Sequence, residues 1–83
     1  MCQFTISFTQ SAAELVATAK KAIEDRGGTF SGDTASGDFK LNNPIRIKGR
    51  YTLSGQNIDI VITDKPMLVP CSMIKNKLQE YLQ

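Results

Sequence analysis

Apolar residues alternate from Cys2 to Phe8, where Cys2, Phe4, Ile6 and Phe8 are separated by Gln3, Thr5 and Ser7. A period of two belongs to a strand with one buried face, so the first strand is predicted there. Ser11-Ala12-Ala13-Glu14 then has the spacing of a capping box, in which the hydroxyl and the carboxylate satisfy backbone N–H groups that a helix start leaves unpaired. Beyond it Ala12, Leu15, Val16, Ala19 and Ile23 recur at intervals of three and four, with Lys20, Lys21, Glu24 and Asp25 on the far side. This is the pattern of an amphipathic helix, and Gly27-Gly28 supplies the left-handed residue that commonly ends one.

Turn-forming clusters at Ser31-Gly32-Asp33, Ser36-Gly37, Asn42-Asn43-Pro44 and Ser54-Gly55-Gln56-Asn57 divide the middle of the chain into segments of hairpin length. Four strands are predicted: Thr29 to Gly32, Gly37 to Leu41, Ile45 to Leu53 and Ile58 to Thr63. Phe30, Phe39 and Leu41 are the inward candidates of the short pair. In the long pair Ile45, Ile47, Tyr51 and Leu53 share a face with Gly49, and Ile58, Ile60 and Ile62 share the matching one. A turn centred on Gly55-Gln56 sets Leu53 against Ile58, Tyr51 against Ile60 and Gly49 against Ile62. A slip of one residue would turn one set of isoleucines to water, so this register is strongly specified. Gly49, an inward position without a side chain, is expected to admit a helix or a large neighbour such as a Phe. Asp64-Lys65-Pro66 ends the last strand, and Pro70 suits the first turn of a second helix. Its apolar stripe is Ile74, Leu78, Tyr81 and Leu82, and Lys75, Asn76, Lys77, Gln79, Glu80 and Gln83 form its solvated side.

The order strand, helix, four strands, helix predicts a single α+β domain over residues 1–83. It is read as a two-layer sandwich with both helices on one face of an antiparallel sheet and the first strand at an edge or beside the last strand. Composition narrows the function more than it names it. An apolar content of 41% exceeds that of a disordered chain, and no apolar run approaches the roughly 20 residues of a membrane span. Met1-Cys2-Gln3-Phe4 has neither a basic segment nor a long apolar run, so the cytoplasm is the expected location. A core this small is marginal, and homodimer formation would help it.

The absence of His removes Ser-His and Cys-His nucleophile pairs, His general bases and His-ligated zinc. The two cysteines stand at opposite ends of the chain in no metal-ligand spacing. No metal and no cofactor are expected. Their separation permits a disulfide, but a cytoplasmic chain keeps its thiols reduced, and both are expected to be free and partly buried. Cys71, at a helix start where the dipole could activate a thiol, is read as a small buried residue on the apolar stripe. Asp33 and Asp38, flanking a Ser- and Gly-rich hairpin tip, are read as turn residues and not as an acid–base pair.

Two features carry binding chemistry. Arg46, Lys48 and Arg50 alternate along one strand with no acid among them, forming a row of like charges on the exposed face. Such a row can hold phosphates or keep a strand soluble and unpaired. Asp59, opposite Thr52, is expected to neutralise it in part, and no aromatic side chain shares that face for base stacking. Met67-Leu68-Val69, between Pro66 and Pro70, is an apolar loop. It serves as a contact surface or ligand mouth, or as a lid over the open end of the sandwich, the expected role because apolar side chains are usually buried.

Gly28-x-Phe30-x-Gly32-Asp33, Gly37-x-Phe39, Ile47-Lys48-Gly49-Arg50-Tyr51, Ile58-x-Ile60-x-Ile62-Thr63-Asp64 and Ile74-x-x-x-Leu78-x-x-Tyr81-Leu82 resemble the pattern of the small polyhydroxyalkanoic acid system proteins over nearly the whole chain. The resemblance implies association with polyester storage granules and carries over no functional residues. The expected function is a non-enzymatic binding or accessory module that meets an apolar ligand or a protein partner, with Met67 and Leu68 as contact residues. The alternative is a small nucleic-acid-binding protein that uses Arg46, Lys48 and Arg50.

Overall fold

A computed structural model describes residues 2–42 and 45–82. Met1, Asn43, Pro44 and Gln83, and with them the core of the expected Asn42-Asn43-Pro44 turn and the last residue assigned to the second helix, lie outside the described residues. The chain forms β1 (Cys2–Ser7), α1 (Ala12–Asp25), β2 (Thr29–Gly32), β3 (Ser36–Leu41), β4 (Ile47–Ser54), β5 (Asn57–Asp64) and α2 (Cys71–Tyr81). The strands make one antiparallel sheet in the order β1-β5-β4-β3-β2. Thus β1 is both an edge strand and the neighbour of the last strand. The fold is the expected α+β arrangement, with small shifts of strand ends; β4 starts at Ile47, two residues later than its apolar pattern implied.

The long hairpin has the register its turn dictates: Leu53 pairs with Ile58, Tyr51 with Ile60 and Gly49 with Ile62. Gly55 takes a φ of 60° at the turn, a conformation that favours glycine. The inward residues of β4 and β5 are buried except for half-buried Leu53, as are Cys2 and Ile6 of β1, while Gln3, Thr5, Ser7, Lys48, Arg50 and Thr52 face water. Leu15, Ala19 and Ile23 of α1 and Ile74, Leu78 and Tyr81 of α2 are buried on the opposing layer. Both helices therefore cover the same sheet face.

The Ser11 side chain caps α1 by accepting from the Glu14 backbone N–H at 3.2 Å. Among the described residues the Glu14 carboxylate makes no return bond, so only half of the capping box forms. At the other end Gly28 N–H donates to Ile23 C=O at 2.9 Å, and Gly27 adopts a φ of 77°, which satisfies carbonyls the last turn leaves free. The Arg26 guanidinium lies 4.3 Å from the Tyr81 ring centroid and donates to the Ala22 carbonyl at 3.0 Å. It joins the C-terminal ends of the two helices by a cation–π contact.

Aromatic rings fill the space left by three strand glycines. Phe39 pairs with Gly49, and a Cβ at Gly49 would stand 2.6 Å from Phe39 Cζ and 3.0 Å from the Val61 carbonyl oxygen. The large neighbour expected over Gly49 is therefore Phe39. Tyr51 lies beside the Gly32–Gly37 pair, stacks on Phe30 at 5.2 Å between centroids, and donates its hydroxyl proton to the Asp33 carbonyl at 2.7 Å. The ring is buried while its polar tip is satisfied.

Replacing Ile60, which is 2% exposed, by Ala is expected to cost about 2–5 kcal/mol in denaturant unfolding. Gly49→Val is expected to cost roughly 1–3 kcal/mol, because the Phe39 ring must give way. A stability within error of the parent for Ile60→Ala would contradict the assigned core, and a gain for Gly49→Val would contradict the ring's contact.

Candidate functional site

Register brings the start of the basic segment and the apolar loop to one end of the sheet, while Arg50 lies farther in. Cys2 pairs with Ile62, Lys48 with Asp64, and Leu41 with Ile47, so β1 and β4 begin where β3 and β5 end. The 65–70 loop leaves from this end, and Arg46 shares a shallow cleft with Asp64, Lys65 and Pro66.

The loop is shaped by its own backbone. Val69 N–H donates to the Pro66 carbonyl at 3.2 Å, and Lys65 Nζ donates to the carbonyls of Val69 at 2.9 Å and Pro66 at 3.3 Å. Val69 packs against the core, whereas Met67 and Leu68 are 91% and 94% exposed. The lid expectation is thus corrected: the turn places its two central side chains away from the sandwich, and only Val69 closes it. Met73, in the first turn of α2, is also exposed.

A second correction concerns the cysteines. Cys2 and Cys71 form a disulfide across a sequence separation of 69, with Cα atoms 5.5 Å apart. They are not free thiols, and Cys71 is exposed and not buried on the helix stripe. The first residue of β1 and the first of α2 are brought within bonding reach because α2 runs back over β1. Pro70, the N-cap of α2, offers no side-chain hydrogen bond to the helix start, so the disulfide supplies the covalent anchor there.

Arg46, Lys48 and Arg50 are all exposed, but they do not act as one row. Arg50 Nε lies 3.2 Å from Asp38 Oδ1 on β3, an exposed pair of small energetic value. The neutralising acid is therefore Asp38 and not Asp59, which pairs with Thr52 as expected but accepts a hydrogen bond from the Thr5 hydroxyl. Lys48 stands opposite Lys40 on β3. Nothing in the sequence pattern signals Lys40, because the β3–β4 register has no two-residue turn to count from.

Nor do Asp33 and Asp38 act together. The Asp33 carboxylate accepts from the backbone N–H groups of Ala35 at 2.8 Å and Ser36 at 3.0 Å, and these bonds, Ser36 first, hold its pKa below the ordinary carboxylate value. Tyr51 is displaced in the other sense: burial first, then the charges of Asp33 and Asp38, push its pKa up from 10.0. Both shifts move away from neutrality, which is opposite to what acid–base catalysis requires. Among the described residues no group of three His, Cys, Asp or Glu side chains could hold a metal ion, and no helix is long and apolar enough to cross a membrane.

Between the layers lies an apolar void of about 20 Å³ bordered by Ala19, Phe39, Tyr51, Ile60 and Leu78. It is close to the smallest space that admits one water and offers no polar partner for it. A buried apolar ligand has no room there. No family model, curated protein or solved structure matches the chain.

Two outcomes follow. In the folded protein the Asp33 carboxyl is expected to titrate by NMR below the ordinary range, so its support of the hairpin is present above the unfolded pKa and is lost as pH falls through the depressed folded value; Asp33→Asn should remove that dependence. Reduction of Cys2–Cys71, or Cys2→Ser with Cys71→Ser, is expected to cost about 2–4 kcal/mol, since the bridge closes a long loop of the unfolded chain. Thermal unfolding with and without reductant should then differ by about 10 °C or more, and coincident curves would show that the bridge contributes nothing.

Proposed function

We propose that the protein is a non-enzymatic binding module that meets a protein partner through the Met67-Leu68 tip. The observation that carries this reading is the near-complete exposure of two large apolar side chains on a turn fixed by hydrogen bonds from Lys65 Nζ and Val69 N–H. Apolar side chains held out in water gain free energy when a partner covers them, and a preformed turn loses little entropy on binding. The closed core favours contact at the surface over an enclosed apolar ligand. A nucleic-acid role for Arg46, Lys48 and Arg50 has less support, because Arg50 is drawn to Asp38 and the inward aromatics leave no ring on the open face. Attachment to a storage-granule surface, which the family resemblance implies, would use the same tip. The disulfide favours an oxidising compartment, and residence in a reducing cytoplasm would leave the domain without that anchor.

A photo-crosslinking residue in place of Leu68 is expected to yield one adduct of defined mass in an extract of the source cells. The purified partner identified from it should bind the parent protein, and Met67→Asp or Leu68→Asp should weaken that complex at least about tenfold with the thermal midpoint unchanged. An adduct with a second copy of the chain would reassign the tip to self-association. Unfolding of both Asp variants would return the loop to a structural role.

A further inference from the structure

On the open face of the sheet, Lys40 of β3 and Lys48 of β4 are direct cross-strand partners. Like charges in that relation repel, and opposite charges are the stabilising choice. Two rungs away the same strand pair makes that choice, with Asp38 opposite Arg50 and joined to it by an ion pair. Neither lysine has an ion-pair partner among the described residues, including Asp64, which faces Lys48 from β5. Both lysines line a concavity of about 300 Å³, together with Thr29, Ser31, Thr63 and the Arg50–Asp38 pair. Lys48 and Gly49, between which the strand register is irregular, are both part of this lining. Among the described residues the hydroxyls of Thr29 and Ser31 make no hydrogen bond to protein, whereas Thr5 and Ser7 on the same face each bond to a neighbouring strand.

Cationic donors and uncommitted hydroxyls around one depression match the acceptors of a tetrahedral oxyanion. We propose that this concavity binds the phosphate group of a small phosphorylated molecule, with Lys40 and Lys48 as its cationic jaws and Thr29 and Ser31 as neutral donors. The lysine jaws are one strand spacing apart, about 5 Å between paired Cα atoms, and Thr29 and Ser31 extend the donor set only two residues along β2, a reach that suits a single phosphate group better than a strand of them. Asp38, in the same lining, opposes the anion and engages Arg50 in an ion pair. This site is separate from the Met67-Leu68 tip and stands or falls independently of it.

The test is an NMR titration of the full chain with inorganic phosphate and with pyrophosphate, at ionic strength held constant by chloride. Saturable shifts centred on Lys40 and Lys48 are expected for both probes. Lys40→Ala and Lys48→Ala should each weaken binding at least about fivefold, and the double variant should show no saturation. Asp38→Asn should tighten binding, because it removes the opposing charge and releases Arg50. Lys20→Ala with Lys21→Ala, on α1, should leave it unchanged. Both lysines are on the solvated face, so the variants should retain the parent spectrum elsewhere. Absence of saturation with either probe, or equal binding by the double variant, would overturn the proposal. Tighter binding of oligonucleotides with increasing length through the same lysines would overturn it in favour of a nucleic-acid surface.

Discussion

Leu53 against Ile58, Tyr51 against Ile60 and Gly49 against Ile62 form an apolar strip through the middle of the sheet, and both helices are laid over it. Everything else is arranged around this pairing. Because side chains alternate at a period of two, fixing three rungs also fixes which face of β1 and β3 must join the core. The gap at Gly49 takes the Phe39 ring and the Gly32–Gly37 pair takes the edge of Tyr51. Residues that would weaken an isolated strand thus become places where large rings pack. The cost is a core intolerant of added methyl groups, as dense interiors generally are.

A sheet of five strands covered on only one side leaves a small domain little apolar area from which to draw stability. Covalent and polar ties act at the margins of the core. The disulfide joins β1 to the start of α2, Arg26 joins the two helix ends through Tyr81, and Gln56 Nε2 donates to the carbonyls of Phe8 and Gln10 beyond the end of β1. These ties fasten the two helices and the segment after β1 to one another and to the sheet. They leave the Met67 and Leu68 side chains and the Lys40–Lys48 pair without a structural partner.

Much of this was legible from residue order alone. The strands, both helices, the long-hairpin register and the role of Gly49 rest on periodicity and turn chemistry, which act between residues close in sequence. The candidate sites were less legible. Arg46, Lys48 and Arg50 read as one row, yet Asp38 takes Arg50 while Lys48 meets Lys40. The loop read as a lid because apolar residues are usually buried, but its hydrogen bonds turn Met67 and Leu68 outward.

The sequence by itself therefore determined the kinds of element, their order and the buried face of each, since alternation and capping are properties of short segments. It also determined that no histidine chemistry is present. Only the tertiary structure decided that Cys2 meets Cys71, that two lysines oppose one another and that the tip stays in water. Each of these depends on which distant segments are brought together and how their backbones cross. That is set by the packing of the whole core, and no local pattern encodes it.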